Sequence, residues 1–305
     1  MSVELWERPE AEEIHMVVGW RQWADAGGMS SGLPKYIADQ TGARQIGKIR
    51  PNGFYLFQIP GTHDLVRPVV RFNDGYPDAL ETQNNDIYYT GDAERGLVIF
   101  LGDEPHLNVE GYVEAILQAA RELKVKRIVS LGGVYGTLPY DKERLVSAIY
   151  SLPQLKAEVV NYAVNLSDYH GGASIGSYLC RRAGDNNVEM VGFYAFVPTY
   201  DFSTVSDVAK AIRIEHDHAA WLVVMRRINR MLKLNFDLTD LEQKSARLLR
   251  AIETKIDELD ALAPELGVRD YMAQIGDQFT ELSFDPLDDV WEDEIRRLFG
   301  EDEDA

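Results

Sequence analysis

Between residues 14 and 200 the chain alternates short apolar extended runs with amphipathic stretches, and after Pro198 apolar residues recur at three and four instead of two. This switch of period constrains the fold most, because strand and helix spacings place side chains on different faces. Residues 14–20 (IHMVVGW) read as a first strand, and a helix is expected near 29–40. Short strands are expected at 54–59, 66–72 and 86–90. Residues 97–101 and 127–131 read as buried strands, with a helix over 109–123 between them. Residues 159–164 and 190–197 are expected to complete the sheet, around a helix at about 175–183. The pattern gives an α/β fold: a three-layer α/β/α sandwich with a mixed, mainly parallel sheet and a C-terminal helical extension.

In the extension, residues 219–234 place Trp221, Val224, Met225, Ile228, Met231 and Leu232 on one stripe, with Arg226, Arg227, Arg230 and Lys233 mostly off it. Thr239-Asp-Leu-Glu242 spells a capping box, so a helix is expected to start there and run to about 263, ahead of Pro264. Its leucines and isoleucines, from Leu241 to Leu262, recur at near-heptad spacing and make a seam for another helix of the same chain or of a second subunit. The expected organisation is a sandwich core over 1–200, helical segments over 201–263 and an acidic tail over 264–305.

The chain has 305 residues and a formal net charge of −19. Residues 277–305 hold twelve acids and two bases, net −10, which leaves −9 for the rest. Such a surface repels phosphate backbones and excludes nucleic acid as the expected partner. The longest apolar run, residues 219–225, has seven residues, against roughly 20 for a membrane span, so no membrane partner is expected either. An acidic start without an apolar stretch points to a cytoplasmic address. Cys180 is alone, which leaves neither an intrachain disulfide nor a cysteine zinc site.

Gly172-Ala173-Ser174-Ile175-Gly176 spells the G-x-S-x-G of a nucleophile elbow. That turn needs a buried strand running straight into the first glycine, and here the polar stretch 165–170 intervenes. Asp201 or Asp207 and His216 or His218 follow in triad order, but on segments read as loop and helix and close to the serine. The same stretch also reads as a glycine-rich loop before a helix, with amides free for an anion or another backbone. Two further glycine clusters, around Gly27 beside Asp25 and around Gly132 and Gly133, follow strands. With Glu104 they are candidates for one shared rim at the strand ends, together with Gly171, Gly172, Ser174 and Gly176. None spells a dinucleotide fingerprint or a P-loop. Glu215-His216-Asp217-His218 has histidines two apart, the wrong spacing for helical chelation, and no third ligand is evident. No metal, cofactor or catalytic residue is assigned.

Taken in order, Gly19-Trp20 with Asp25-Ala26-Gly27, residues 101–105 (LGDEP), Leu131-Gly132-Gly133, Leu138-Pro139-Tyr140, residues 171–179 and residues 196–200 (FVPTY) resemble the proteasome assembly chaperone 2 family. The chain is most similar to bacterial, actinobacterial-type members with a helical C-terminal extension, over roughly residues 14–262. That resemblance implies a phosphorylase-like sandwich, a homo-oligomer read as a trimer, and docking to proteasome subunits in place of catalysis. It also implies that residues 171–176 occupy a glycine-rich loop position not known as a nucleophile. The chain departs from the family at Tyr140, where relatives often carry histidine. Its end, residues 301–305 (EDEDA), also lacks the tyrosine motif of chaperones that insert a tail into proteasome pockets. The resulting reading is a non-catalytic, assembly-chaperone-like protein. The alternative is a small-molecule or nucleotide-binding enzyme using the glycine loops, with a serine hydrolase last.

Overall fold

A computed structural model describes residues 2–51, 53–58, 67–200 and 212–282. Its strands are β1 (Val3–Leu5), β2 (Glu13–Arg21), β3 (Arg44–Ile49), β4 (Val69–Asn73), β5 (Tyr76–Glu81), β6 (Asp86–Gly91), β7 (Arg95–Asp103), β8 (Val125–Gly136), β9 (Val146–Tyr150), β10 (Asn165–Leu166), β11 (Glu189–Tyr200) and β12 (Ile212–Arg213). Its helices are α1 (Gly32–Thr41), α2 (Val109–Glu122), α3 (Lys156–Val159), α4 (Ile175–Asp185), α5 (His218–Leu232), α6 (Thr239–Leu262) and α7 (Val268–Gln278).

The main sheet runs β1-β3-β6-β7-β2-β8-β11-β9-β10, with β12 on the end of β11. Its centre, β7-β2-β8-β11, is parallel throughout, and antiparallel strands extend it on both sides. Parallel strands need crossovers that cover both faces, which is why their sequences are continuous apolar runs rather than alternating ones. In β7 every residue after Arg95 is buried. Successive residues feed two cores. Val17, Ile99, Val129 and Phe193 meet α1, α5, α6 and α7, whereas Met16, Val18, Phe100 and Ile128 meet α2 and α4. The mixed, mainly parallel α/β architecture and the helical extension therefore stand as expected. Among the described residues no helix is long and apolar enough to cross a membrane.

Several local expectations are corrected. Residues 54–58 form no strand; Phe54 sits in a turn, is buried, and its carbonyl accepts the amides of His106 and Leu107 at 2.8 and 3.0 Å. Ile59 and Val66 lie outside the described residues. The strand expected at 66–72 becomes β4, which pairs with β5 alone in a hairpin separate from the main sheet. Residues 159–164 are not a strand. Pro153 opens a helical stretch in which Val159 and Tyr162 are buried three apart, a helical spacing that a short apolar run does not reveal. Their place in the sheet is taken by β9, antiparallel to β11.

In the extension, α6 has the expected limits but no capping box. Thr239 is its first residue, and Asp237 Oδ1 accepts from the Thr239 amide at 2.9 Å and from its hydroxyl at 2.7 Å. The seam expected to seek another helix packs within the chain: Leu241, Ile252 and Ile256 are buried in the same core as α5. Past Pro264 the helical structure continues as α7, whose Val268 and Met272 close that core. Arg227 is not on the outer face of α5. It is buried, donating to the Tyr162, Val223 and Ala163 carbonyls at 2.9, 2.8 and 3.0 Å, and burial lowers its pKa to about 10.

Candidate docking interface

The carboxyl ends of β2, β7, β8 and β11 share one edge of the sheet, and the predicted rim residues gather there. The first group is built around Asp25. Its Oδ1 accepts from the Ser30 and Ser31 amides at 2.8 and 2.9 Å, and its Oδ2 from the Ser31 hydroxyl at 2.6 Å. Burial pushes the Asp25 carboxyl above its ordinary value, against the pull of these donors. The Gly133 amide donates to the Ala24 carbonyl at 2.7 Å, and Asp25 bridges Gly133 in parallel register. A Cβ on Gly133 would stand 2.1 Å from the Ala26 oxygen, so glycine is what lets the loop lie on β8. The Gly27 carbonyl accepts from the Asp217 amide and from Trp221 Nε1, both at 2.9 Å, which ties the loop to α5.

The second group surrounds the N-terminus of α4. Ser174 is the N-cap: its Oγ accepts from the Ser177 amide at 3.2 Å and lies 3.2 Å from the Tyr194 hydroxyl and 3.3 Å from the Ser177 hydroxyl. These partners include no imidazole and no carboxylate. Glu104 Oε1 accepts from the Ile175 amide at 2.9 Å. Burial raises the pKa of Glu104 against the pull of the Ile175 amide. The helix end that an external anion would use is thus occupied by a carboxylate of the chain itself. Gly132 and Gly176 border Tyr194, whose hydroxyl burial pushes up to about 12. Gly171 lies against Tyr169, whose hydroxyl donates to the Gly172 carbonyl at 3.3 Å.

Asp25, Gly27 and Gly133 therefore form one interlocked unit, and Glu104, Ser174, Gly132 and Gly176 another. Gly171 and Gly172 sit at the outer margin. Neither candidate histidine is among the partners of Ser174. His216 lies tilted and His218 edge-on against Trp221, with ring centres 5.7 and 4.9 Å away, and Asp201 and Asp207 lie outside the described residues. Asp217, from the tempting histidine cluster, is buried against Arg144 at 2.8 Å. Among the described residues no group of three His, Cys, Asp or Glu side chains is placed to hold a metal. Sequence reasoning missed Tyr194 and Arg144, neither of which carries a motif.

Residues 20–256 match the profile of the PAC2 family. The chain belongs to the PAC2 family. No curated protein matches it. Among solved structures, this PAC2 chain is similar to a proteasome-assembly chaperone homologue from Mycobacterium tuberculosis, with 21% identity, TM-score 0.67, and coverage of 79% of this chain and 94% of that one. A PAC2 family protein from Streptomyces avermitilis has 21% identity, TM-score 0.66 and coverage of 82% and 98%. PbaB, an archaeal proteasome activator from Pyrococcus furiosus, has 17% identity, TM-score 0.58 and coverage of 82% and 98%. At these identities the likeness to each structure is one of fold.

Proposed function

We propose that this PAC2 chain is a non-catalytic docking protein of the assembly-chaperone kind, that proteasome subunits are its partners, and that it works in the cytoplasm as a homo-oligomer, a trimer in the simplest form. One observation carries the non-catalytic part: the polar groups of the rim are spent on one another. Asp25 is filled by two amides and a hydroxyl, and Glu104 closes the α4 N-terminus. A nucleophile needs a base within hydrogen-bond reach, and Ser174 has instead an amide and two hydroxyls. The same interlocking makes a rigid platform, which suits recognition of a folded partner without ordering cost. The proteasome part draws on the PAC2 relatives described as a proteasome-assembly chaperone homologue and a proteasome activator.

Native mass spectrometry of the chain mixed with proteasome α- and β-subunits of its own organism tests this reading. A complex of fixed stoichiometry is expected, at micromolar concentrations or below. Unmixed masses across that range would remove the proteasome assignment.

A further inference from the structure

We propose that the β4–β5 hairpin is the seat of the chain's own C-terminal segment, residues 286–299, which lies on it as an amphipathic helix. The hairpin is specified locally. Asp74 and Gly75, at φ 49° and 83°, form the two-residue turn whose twist suits the flanking strands. Residues paired across the strands share a face, so Val70 with Leu80 and Phe72 with Pro77 make one side of the hairpin wholly apolar. Arg71, Asn73 and Glu81 stand on the other side. A two-stranded hairpin is marginal in water until such a side is covered. Yet Val70, Phe72 and Leu80 are 45%, 60% and 65% exposed, and among the described residues no element covers them.

Residues 283–305 lie outside the described residues, and their sequence carries the complementary element. Asp285-Pro286 is a helix start, because aspartate caps and proline suits the first helical position, and Gly300 is a stop. Asp288 and Asp289 fall in the first turn and Arg296 and Arg297 in the last, each at the end of the helix dipole that favours it. Leu287, Trp291, Ile295 and Leu298 recur at four, four and three, which makes one apolar stripe. A helix stripe and a sheet face that both lack a cover are what a helix-on-sheet layer joins. Their lengths agree: residues 286–299 as a helix span about 21 Å, and the strand Tyr76–Glu81 spans about 20 Å.

The roots of the two segments select this occupant. Glu281 Oε1 accepts from the Glu143 amide at 2.9 Å, just before β9. The hairpin returns to the sheet at Asn84, whose amide donates to Asp103 Oδ2 at 2.8 Å at the end of β7. Both places are on the carboxyl edge of the central strands, and β7 and β9 stand four places apart in the sheet, about 19 Å. Residues 282–286 in extended form and the helix after them together cover about 38 Å. So short a tether gives the chain's own segment a far higher effective concentration at the hairpin than a second copy has.

Hydrogen exchange of the full chain at micromolar concentration tests the proposal. Amides of residues 69–81 and 287–298 should exchange at least about tenfold more slowly than those of an unstructured chain. Trp291→Asp with Leu298→Asp should release both segments, and so should Phe72→Asp with Leu80→Asp, while β2, β7 and β8 stay protected. Phe72 and Leu80 belong to neither core, so the fold survives their replacement. Fast exchange at either segment of the unmodified chain would overturn the proposal. A hairpin still protected in the Trp291→Asp, Leu298→Asp variant would overturn it too, because a second copy would then be the cover. Mixing the two variants should restore nothing; recovered protection at 69–81 would mean exchange of segments between copies and would contradict a seat within one chain.

Discussion

Arg144→Ala is expected to lower the unfolding free energy by about 3–5 kcal/mol, the range for breaking one side of a buried ion pair. Arg144 Nε lies 2.8 Å from Asp217 Oδ2, and both side chains are fully buried. Arg144 Nη1 also donates to the Tyr140 and Lys142 carbonyls at 2.7 and 3.0 Å, which holds the β8–β9 connection in place. Asp217 Oδ1 in turn caps α5 through the Ala219 and Ala220 amides, both at 3.1 Å. Alanine at 144 leaves the Asp217 charge inside the protein with no cation, at the point where α5 meets the rim. Arg144→Met with Asp217→Asn should regain most of the loss, because asparagine keeps a capping acceptor and no charge is stranded. Arg226→Ala, in an exposed pair 3.4 Å from Glu242, should cost less than about 1 kcal/mol. Urea midpoints with unchanged slopes report all three; an Arg144→Ala midpoint equal to that of the unmodified chain would contradict the role given to the pair.

The second large effect is expected at the close approaches of the rim. Gly133→Ala sets a methyl 2.1 Å from the Ala26 oxygen, and Gly19→Ala sets one 1.9 Å from the Ser30 oxygen. In each case the obstacle is backbone, so no rotamer change relieves it. The 24–31 loop must lift, breaking the Gly133–Ala24 bond at 2.7 Å and the bond from the Trp20 amide to the Ser30 hydroxyl at 2.8 Å. A loss of about 3 kcal/mol is expected for either change, at the upper end for overpacking. Gly172→Ala, where the added methyl meets nothing, should stay within about 0.5 kcal/mol. Thermal unfolding of the three variants separates them, and equal losses would mean that loop and sheet are not in contact as described.

The central strands were legible because burial on both faces writes itself as an unbroken apolar run, as in β2 and β7. Residues 159–164 were not, since a run of that length fits a strand and a buried helical turn equally well. The α7 helix was hidden because it buries only Val268 and Met272 in an otherwise polar stretch. At the rim, Gly132 and Gly133, read as lying just past a strand, fall inside β8; Gly133 admits the Ala26 carbonyl, whereas Gly132 makes room for the Tyr194 ring. Arg144 and Asp217 are 73 residues apart, and no local pattern connects them. The left-handed backbone at Gln22 and Ala24 follows from the bond of the Ala24 carbonyl to β8, which forms only once the sheet exists. The G-x-S-x-G spelling was legible but its chemistry was not: whether Ser174 meets a base or a helix amide depends on what the sheet brings beside it.

Hydrogen exchange of the chain, alone and mixed with the purified proteasome α-ring of its own organism, tests the central claim most directly. Slowed exchange at residues 22–28, 104–107 and 169–176 is the predicted result. Unchanged exchange at those three segments, with or without protection elsewhere, would contradict the assignment of the rim as the docking surface.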